Sequence, residues 1–141
     1  MPFLYFAYGS NMNFRQMKIR CPGAVFITKA RLDGWSYFIN ENGYAGIEKI
    51  VKTFTLGGVW ELSEKHINSL DVYEAVSEGY YERTKIKVSF DPGGDERETI
   101  VYLSNSRKYG KPGLAYQRSV IEGAREIGLP QEYIDALSSW S

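Results

Sequence analysis

The chain has 141 residues, 43% of them hydrophobic, enough for one domain to bury most of its apolar surface without disulfides or metals. Its 17 Lys and Arg cancel 17 Asp and Glu, so no global field gathers polyanions, and a small ligand is the better expectation than nucleic acid or a charged membrane. No apolar stretch approaches the ~20 residues of a membrane-spanning helix. The single cysteine, Cys21, cannot form an intrachain disulfide, and the start MPFLYFAYGSNM lacks the basic opening and long apolar run of a secretion signal. One cytoplasmic domain over residues 1–141 is expected.

Residues 3–7, FLYFA, form a short apolar run between Pro2 and Gly9, the pattern of a strand buried on both faces near the middle of a sheet. It ends in Tyr8-Gly9-Ser10-Asn11, and MNFRQMKIR then carries Phe14, Met17 and Ile19 toward one side of a short helix. Across residues 24–62, AVFITKARL, WSYFIN, YAGIEKI and GGVWEL are rich in β-branched and aromatic residues and are separated by Gly and Asn, which predicts a meander of antiparallel strands. Ser63 can cap a helix through EKHINSLDVYE, with Ile67 and Leu70 inward and Glu74 delivered at its C-terminal end.

From 80 to 90 the chain alternates. Thr84, Ile86, Val88 and Phe90 share one face with Tyr80, and Arg83, Lys85 and Lys87 share the other. The turn DPGGD returns into ETIVYLSN, predicting a hairpin with Tyr102 near its far end. Residues 113–128 place Leu114, Val120, Ile121, Ala124 and Ile127 on a helical stripe, and a Leu129-Pro130 break precedes a last helix, QEYIDALSSW.

Few residues offer chemistry. A glycine after a buried strand lets main-chain N–H groups approach a ligand, so Tyr8-Gly9-Ser10-Asn11 could hold a carboxylate or an oxyanion, although such turns more often only redirect the chain. Asp71 and Glu74, three apart, point to nearly the same side of a helix, yet a glutamate near a helix end is usually solvent-facing. His66 is the only histidine and has no partner at triad or zinc spacing, and Cys21 has no evident base nearby. No metal cluster, phosphate loop or dinucleotide fingerprint is present, so carboxylate, main chain and hydroxyls must carry any reaction.

Taken in order, FLYFAYGSNM, ARL, YAGI, GGVWEL, LDVYEAVSEGYY, VYLSN, PGLAY and IEGAREIGLPQEYIDAL resemble the γ-glutamylcyclotransferase family from end to end. The resemblance implies an α+β domain, a small mixed β-barrel of about six to seven strands flanked by three to four helices. It implies an anion-binding loop at Tyr5, Phe6, Ala7, Tyr8, Gly9 and Ser10, closed by Asn11, one essential glutamate at Glu74, and pocket tyrosines at Tyr80, Tyr102 and Tyr116. It also implies a γ-glutamyl small-molecule substrate and no metal or cofactor. One departure is visible: Ala75 follows the glutamate where the family commonly has Gly.

The implied reaction is internal. The substrate's own α-amine attacks its γ-carbonyl, closing 5-oxoproline and releasing the attached amine, with the α-carboxylate held on the loop and Glu74 moving protons. Two other readings use the same residues: a non-catalytic module binding a carboxylate-bearing metabolite, and a stacking platform for single-stranded nucleic acid with Arg83, Lys85 and Lys87 on phosphates. The aromatic-rich surface leaves room for a homodimer.

Overall fold

The computed structural model describes residues 2–91 and 93–141. Five strands, β1 (Phe3–Ala7), β2 (Val25–Ile39), β3 (Ala45–Leu62), β4 (Tyr81–Asp91) and β5 (Glu96–Ser104), close into a barrel in the order β1-β3-β2-β4-β5. The helices are α1 (Phe14–Arg20), α2 (Glu64–Tyr73), α3 (Leu114–Glu126) and α4 (Gln131–Ser138), with a single 3-10 turn at Ser10–Met12. Neighbouring strands pair antiparallel except at the seam, where β1 meets β5 parallel with Tyr5 opposite Ile100.

The strand count is five rather than six to seven, because glycines that look like breaks are bends within continuous strands. Apart from the end residues Ala24, Asn40 and Tyr44, AVFITKARL and WSYFIN lie in the single 15-residue β2, and YAGIEKI and GGVWEL in the 18-residue β3. At Gly34 the β2–β3 register jumps from Asp33↔Phe54 to Trp35↔Lys49. Gly34 (φ 84°) and Lys52 (φ 66°) both take left-handed backbone there, so the extra residues bulge out and the hairpin curls instead of ending. That curl lets two long strands wrap a small barrel.

Elsewhere the pattern translates directly. β1 lies between β3 and β5, and its Phe6 is fully buried. In β4 Val88 is buried and Thr84, Ile86 and Phe90 are half-buried, while Arg83, Lys85 and Lys87 are exposed. Alternation fails at the strand's entrance, where Tyr81 is buried and Tyr80 is 54% exposed. The β4–β5 hairpin forms as expected, and Pro92 of its turn lies outside the described residues. In α1 Met17 is buried, but Ile19 is largely exposed, and the Phe14 ring packs tilted against Phe26 and edge-on to Trp60, with ring centroids 5.2 and 5.4 Å apart. Leu114 is 84% exposed: the buried stripe of α3 runs through Val120, Gly123 and Ala124 to Ile127, and the helix's first turn extends past the core.

α3 sets the position of the Tyr8–Asn11 turn. Gly123 lies against the main chain of Met12 and Asn13, where an added Cβ would stand 2.6 Å from the Asn13 nitrogen. The Asn13 amide donates to Ser119 O (3.2 Å) and Glu122 Oε2 (3.3 Å), and the Phe14 N–H donates to Glu126 Oε1 (3.1 Å). Helix propensity alone would make Gly123→Ala stabilising by about 1 kcal/mol. The contact with main chain reverses the sign: a net loss of about 1–3 kcal/mol is expected, read as a lower urea midpoint at unchanged m-value.

Candidate active site

A cavity of about 470 Å³ opens at one end of the barrel, between the Tyr8–Asn11 turn and the C-terminal end of α2. Tyr5, Tyr8, Gly9, Ser10, Asn11, Glu74, Tyr80, Tyr102 and Tyr116 all line it, although they come from five separate stretches of chain. Phe6 and Ala7 do not border it; their side chains are buried in the barrel wall, and they pair with Val59 and Gly58 of β3.

Glu74 is delivered by local helix chemistry. Ser63 accepts from the His66 N–H (3.3 Å) and the His66 ring returns the bond, with Nδ1 accepting from the Ser63 N–H (3.1 Å), so a histidine completes the capping box that starts α2. Its Nε2 therefore carries the proton and donates to Pro22 O (2.6 Å), which makes the lone histidine a brace. At the other end Ala75 N–H donates to Val72 O and Val76 N–H to Asp71 O, both at 3.0 Å. These are the two bonds of a Schellman stop, with Ala75 in its left-handed position at φ 51°. Glycine is favoured there because it has no Cβ, so Ala75→Gly is expected to raise stability by up to about 1 kcal/mol, measured by urea unfolding.

The two carboxylates of α2 have separate fates. Asp71 accepts from Tyr102 OH (2.7 Å) and Arg83 Nη1 (2.8 Å), which fixes Tyr102 and removes Arg83 from a free basic strip. Glu74 faces the cavity and has no hydrogen-bond or ion-pair partner for its carboxyl among the described residues. Burial raises its pKa from 4.5 to about 7, against a smaller opposing pull from Arg20. Between those values the folded protein holds a proton that the unfolded chain has released, so stability falls as pH rises through the window. Glu74→Gln removes that dependence: it should match wild type near pH 4 and exceed it at pH 8 by on the order of 1–3 kcal/mol, as urea midpoints at the two pH values will show.

The tyrosine hydroxyls can be sorted by where their protons go. Tyr8 OH donates to Tyr102 O (2.6 Å), Tyr102 OH to Asp71, and Tyr81 OH to Ala45 O (2.5 Å), so these three are spent on the fold. Tyr116 OH instead accepts from the Ala45 N–H (3.1 Å), and Tyr5 OH accepts from Asn11 Nδ2 (3.0 Å), which leaves each with a proton to give. Burial holds Tyr5 well above the usual tyrosine range and pushes Tyr116 up to about 12, so both remain O–H donors at neutral pH. Gly9 fits the gap beside them: a Cβ there would meet Ala45 Cβ at 3.0 Å and Tyr116 OH at 3.2 Å. The main-chain N–H groups of Gly9, Ser10 and Asn11 have no acceptor among the described residues.

Sequence reasoning missed Arg20, Asn40, Asn42, Tyr44, Ala45, Tyr73 and Tyr81, which also line the cavity. Tyr81 was visible only as the second tyrosine of EGYY, and strand parity put the wrong one inside. Among the described residues no group of three or more His, Cys, Asp or Glu stands together to hold a metal ion, and no helix is long and apolar enough to cross a membrane.

Comparison with known proteins follows the same outline. The model of the AIG2-like family matches residues 55–137. The chain is 35% identical to a mouse gamma-glutamylcyclotransferase, over 97% of this chain and 78% of the relative, and 34% identical to a human gamma-glutamylcyclotransferase over the same shares. The solved structure of a gamma-glutamyl cyclotransferase superposes with a TM-score of 0.93 at 31% identity, covering 100% of this chain and 89% of that one.

Proposed function

The chain belongs to the γ-glutamylcyclotransferase family of AIG2-like proteins, and from that premise we infer that it is an enzyme that converts a γ-glutamyl amide into 5-oxoproline and a free amine. The observation that carries the mechanism is a half-buried carboxyl, Glu74, sharing one cavity with three unused main-chain donors and two unspent tyrosine hydroxyls.

The substrate enters with its α-carboxylate on the N–H groups of Gly9, Ser10 and Asn11, which folds the glutamyl chain so that its α-nitrogen meets its γ-carbonyl. At neutral pH that nitrogen is an ammonium. Ionised Glu74 takes its proton, the nitrogen attacks the γ-carbon, and the carbonyl oxygen becomes an oxyanion. Tyr116 or Tyr5 donates to that oxyanion, its proton not being committed elsewhere. Protonated Glu74 then gives the proton to the leaving nitrogen and the oxyanion reforms its carbonyl as the amide C–N bond breaks; the ring nitrogen's surplus proton passes back to Glu74 and on to the released amine, which departs as an ammonium beside the neutral five-membered lactam. A group titrating near 7 suits both transfers, since it is readily charged and readily protonated at working pH. The leaving amine can be an amino acid, another amine or a protected intermediate. Cys21 is a buried free thiol, in keeping with a reducing cytoplasm.

Purified protein incubated with γ-glutamyl dipeptides should yield 5-oxoproline, followed by mass spectrometry, with a pH–rate limb rising near 7. Glu74→Gln should lower kcat by about 10²–10⁴-fold, and Tyr116→Phe by about 10²-fold. Undiminished turnover in Glu74→Gln removes the glutamate from the chemistry. Binding without any product in wild type would make the protein a capture module instead.

A further inference from the structure

Arg20 is the one cation among the described residues that line the cavity, and Glu74 is the one carboxylate. Among the described residues, Arg15, Arg31 and Arg83 each meet a carboxylate at 2.6–3.0 Å. Arg20 meets none: its Nη1 donates to Asn11 Oδ1 (2.7 Å) and more weakly to Ser10 Oγ (3.4 Å). The Gln16 amide, turned so that its oxygen faces inward, accepts from the remaining guanidinium nitrogens. Below it lies the Tyr73 ring, 4.8 Å from the guanidinium carbon. Every partner is neutral, so a half-buried charge is held in a fixed pose without a counter-ion, which is costly unless an anion completes it.

Service to the α1 C-terminus is the simpler account of a basic residue in a last turn. Lys18 already occupies that turn, and Arg20 leaves the helix end to join Ser10 and Asn11. Its field also reaches Glu74, Tyr5 and Tyr116, so it stands within range of the reacting groups.

We propose that Arg20 is a substrate-binding residue that pairs with a carboxylate of the substrate. The inference rests on the cyclotransferase reading for its substrate. The Ser10 and Asn11 contacts put the guanidinium against the anion-holding turn, which favours the glutamyl α-carboxylate. The carboxylate of an amino-acid leaving group is the other source of the same chemistry.

The test compares wild type, Arg20→Gln and Arg20→Lys on γ-glutamyl-alanine, on its analogue with the α-carboxyl converted to carboxamide, and on its analogue with the alanine carboxyl so converted. Arg20→Gln should raise KM for the parent at least about tenfold with kcat little changed, and Arg20→Lys should recover part of the loss. The α-carboxamide should be at least about tenfold poorer for wild type, yet suffer no further loss in Arg20→Gln. If only the alanine carboxamide behaves this way, the paired carboxylate belongs to the leaving group. Equal penalties on all three substrates, or a folded Arg20→Gln within twofold of wild type on the parent, would overturn the proposal. Should wild type turn over none of them, calorimetric titration with 5-oxoproline decides the matter separately. Binding by wild type and at least tenfold weaker binding by a folded Arg20→Gln upholds the pairing, whereas equal binding or none by wild type refutes it.

Discussion

β1 is gripped on both sides, antiparallel by β3 and parallel by β5. A barrel closed in this way has no free edge along that strand, so the chain leaving Ala7 must turn at the barrel's end. There it meets α2, whose Schellman stop aims Glu74 into the same space. The Tyr8–Asn11 turn and the Glu74 carboxyl are 63 or more residues apart in sequence, and it is strand pairing that makes them neighbours.

Given that closure, burial has opposite effects on two kinds of group. The tyrosines are kept as neutral hydroxyls that do not ionise, while Glu74 is raised into the range where it can both take and return a proton. Most of the hydroxyls are then consumed in holding the walls together: Tyr81 and Tyr116 clasp the main chain of Ala45 from its carbonyl and its N–H, and Asp71 fixes Tyr102. The pair with a proton to spare is therefore defined by hydrogen-bond direction and not by residue type. Arg20 adds the one positive charge that the main-chain donors of the turn lack.

Of the two left-handed non-glycine residues among the described residues, Lys52 lies in the hairpin curl and Ala75 beside Glu74. Ala75 holds a left-handed conformation one residue beyond Glu74, where a glycine would be at ease. The substitution noticed in LDVYEAVSEGYY thus has a structural meaning: the Cβ costs stability but also narrows the backbone's freedom where the carboxyl must be aimed.

What the sequence determined by itself is what short-range chemistry controls. The apolar run before Tyr8-Gly9-Ser10-Asn11, the Ser63 cap, the turn after Phe90 and the period of β4 are all local, as is the arrival of Glu74 at a helix end. Local pattern could not say that Gly34 bends a strand instead of ending it, since the outcome depends on what β3 presents opposite. Nor could it say whether Tyr80 or Tyr81 turns inward, or that Leu114 stays in solvent, because both follow from where the barrel ends. Arg20, seven residues into a short amphipathic helix, carries no mark in the sequence. Its place in the cavity follows from α3 pressing the Ser10–Met12 turn and α1 against the barrel, a contact between segments more than a hundred residues apart, which only the closed tertiary structure decides.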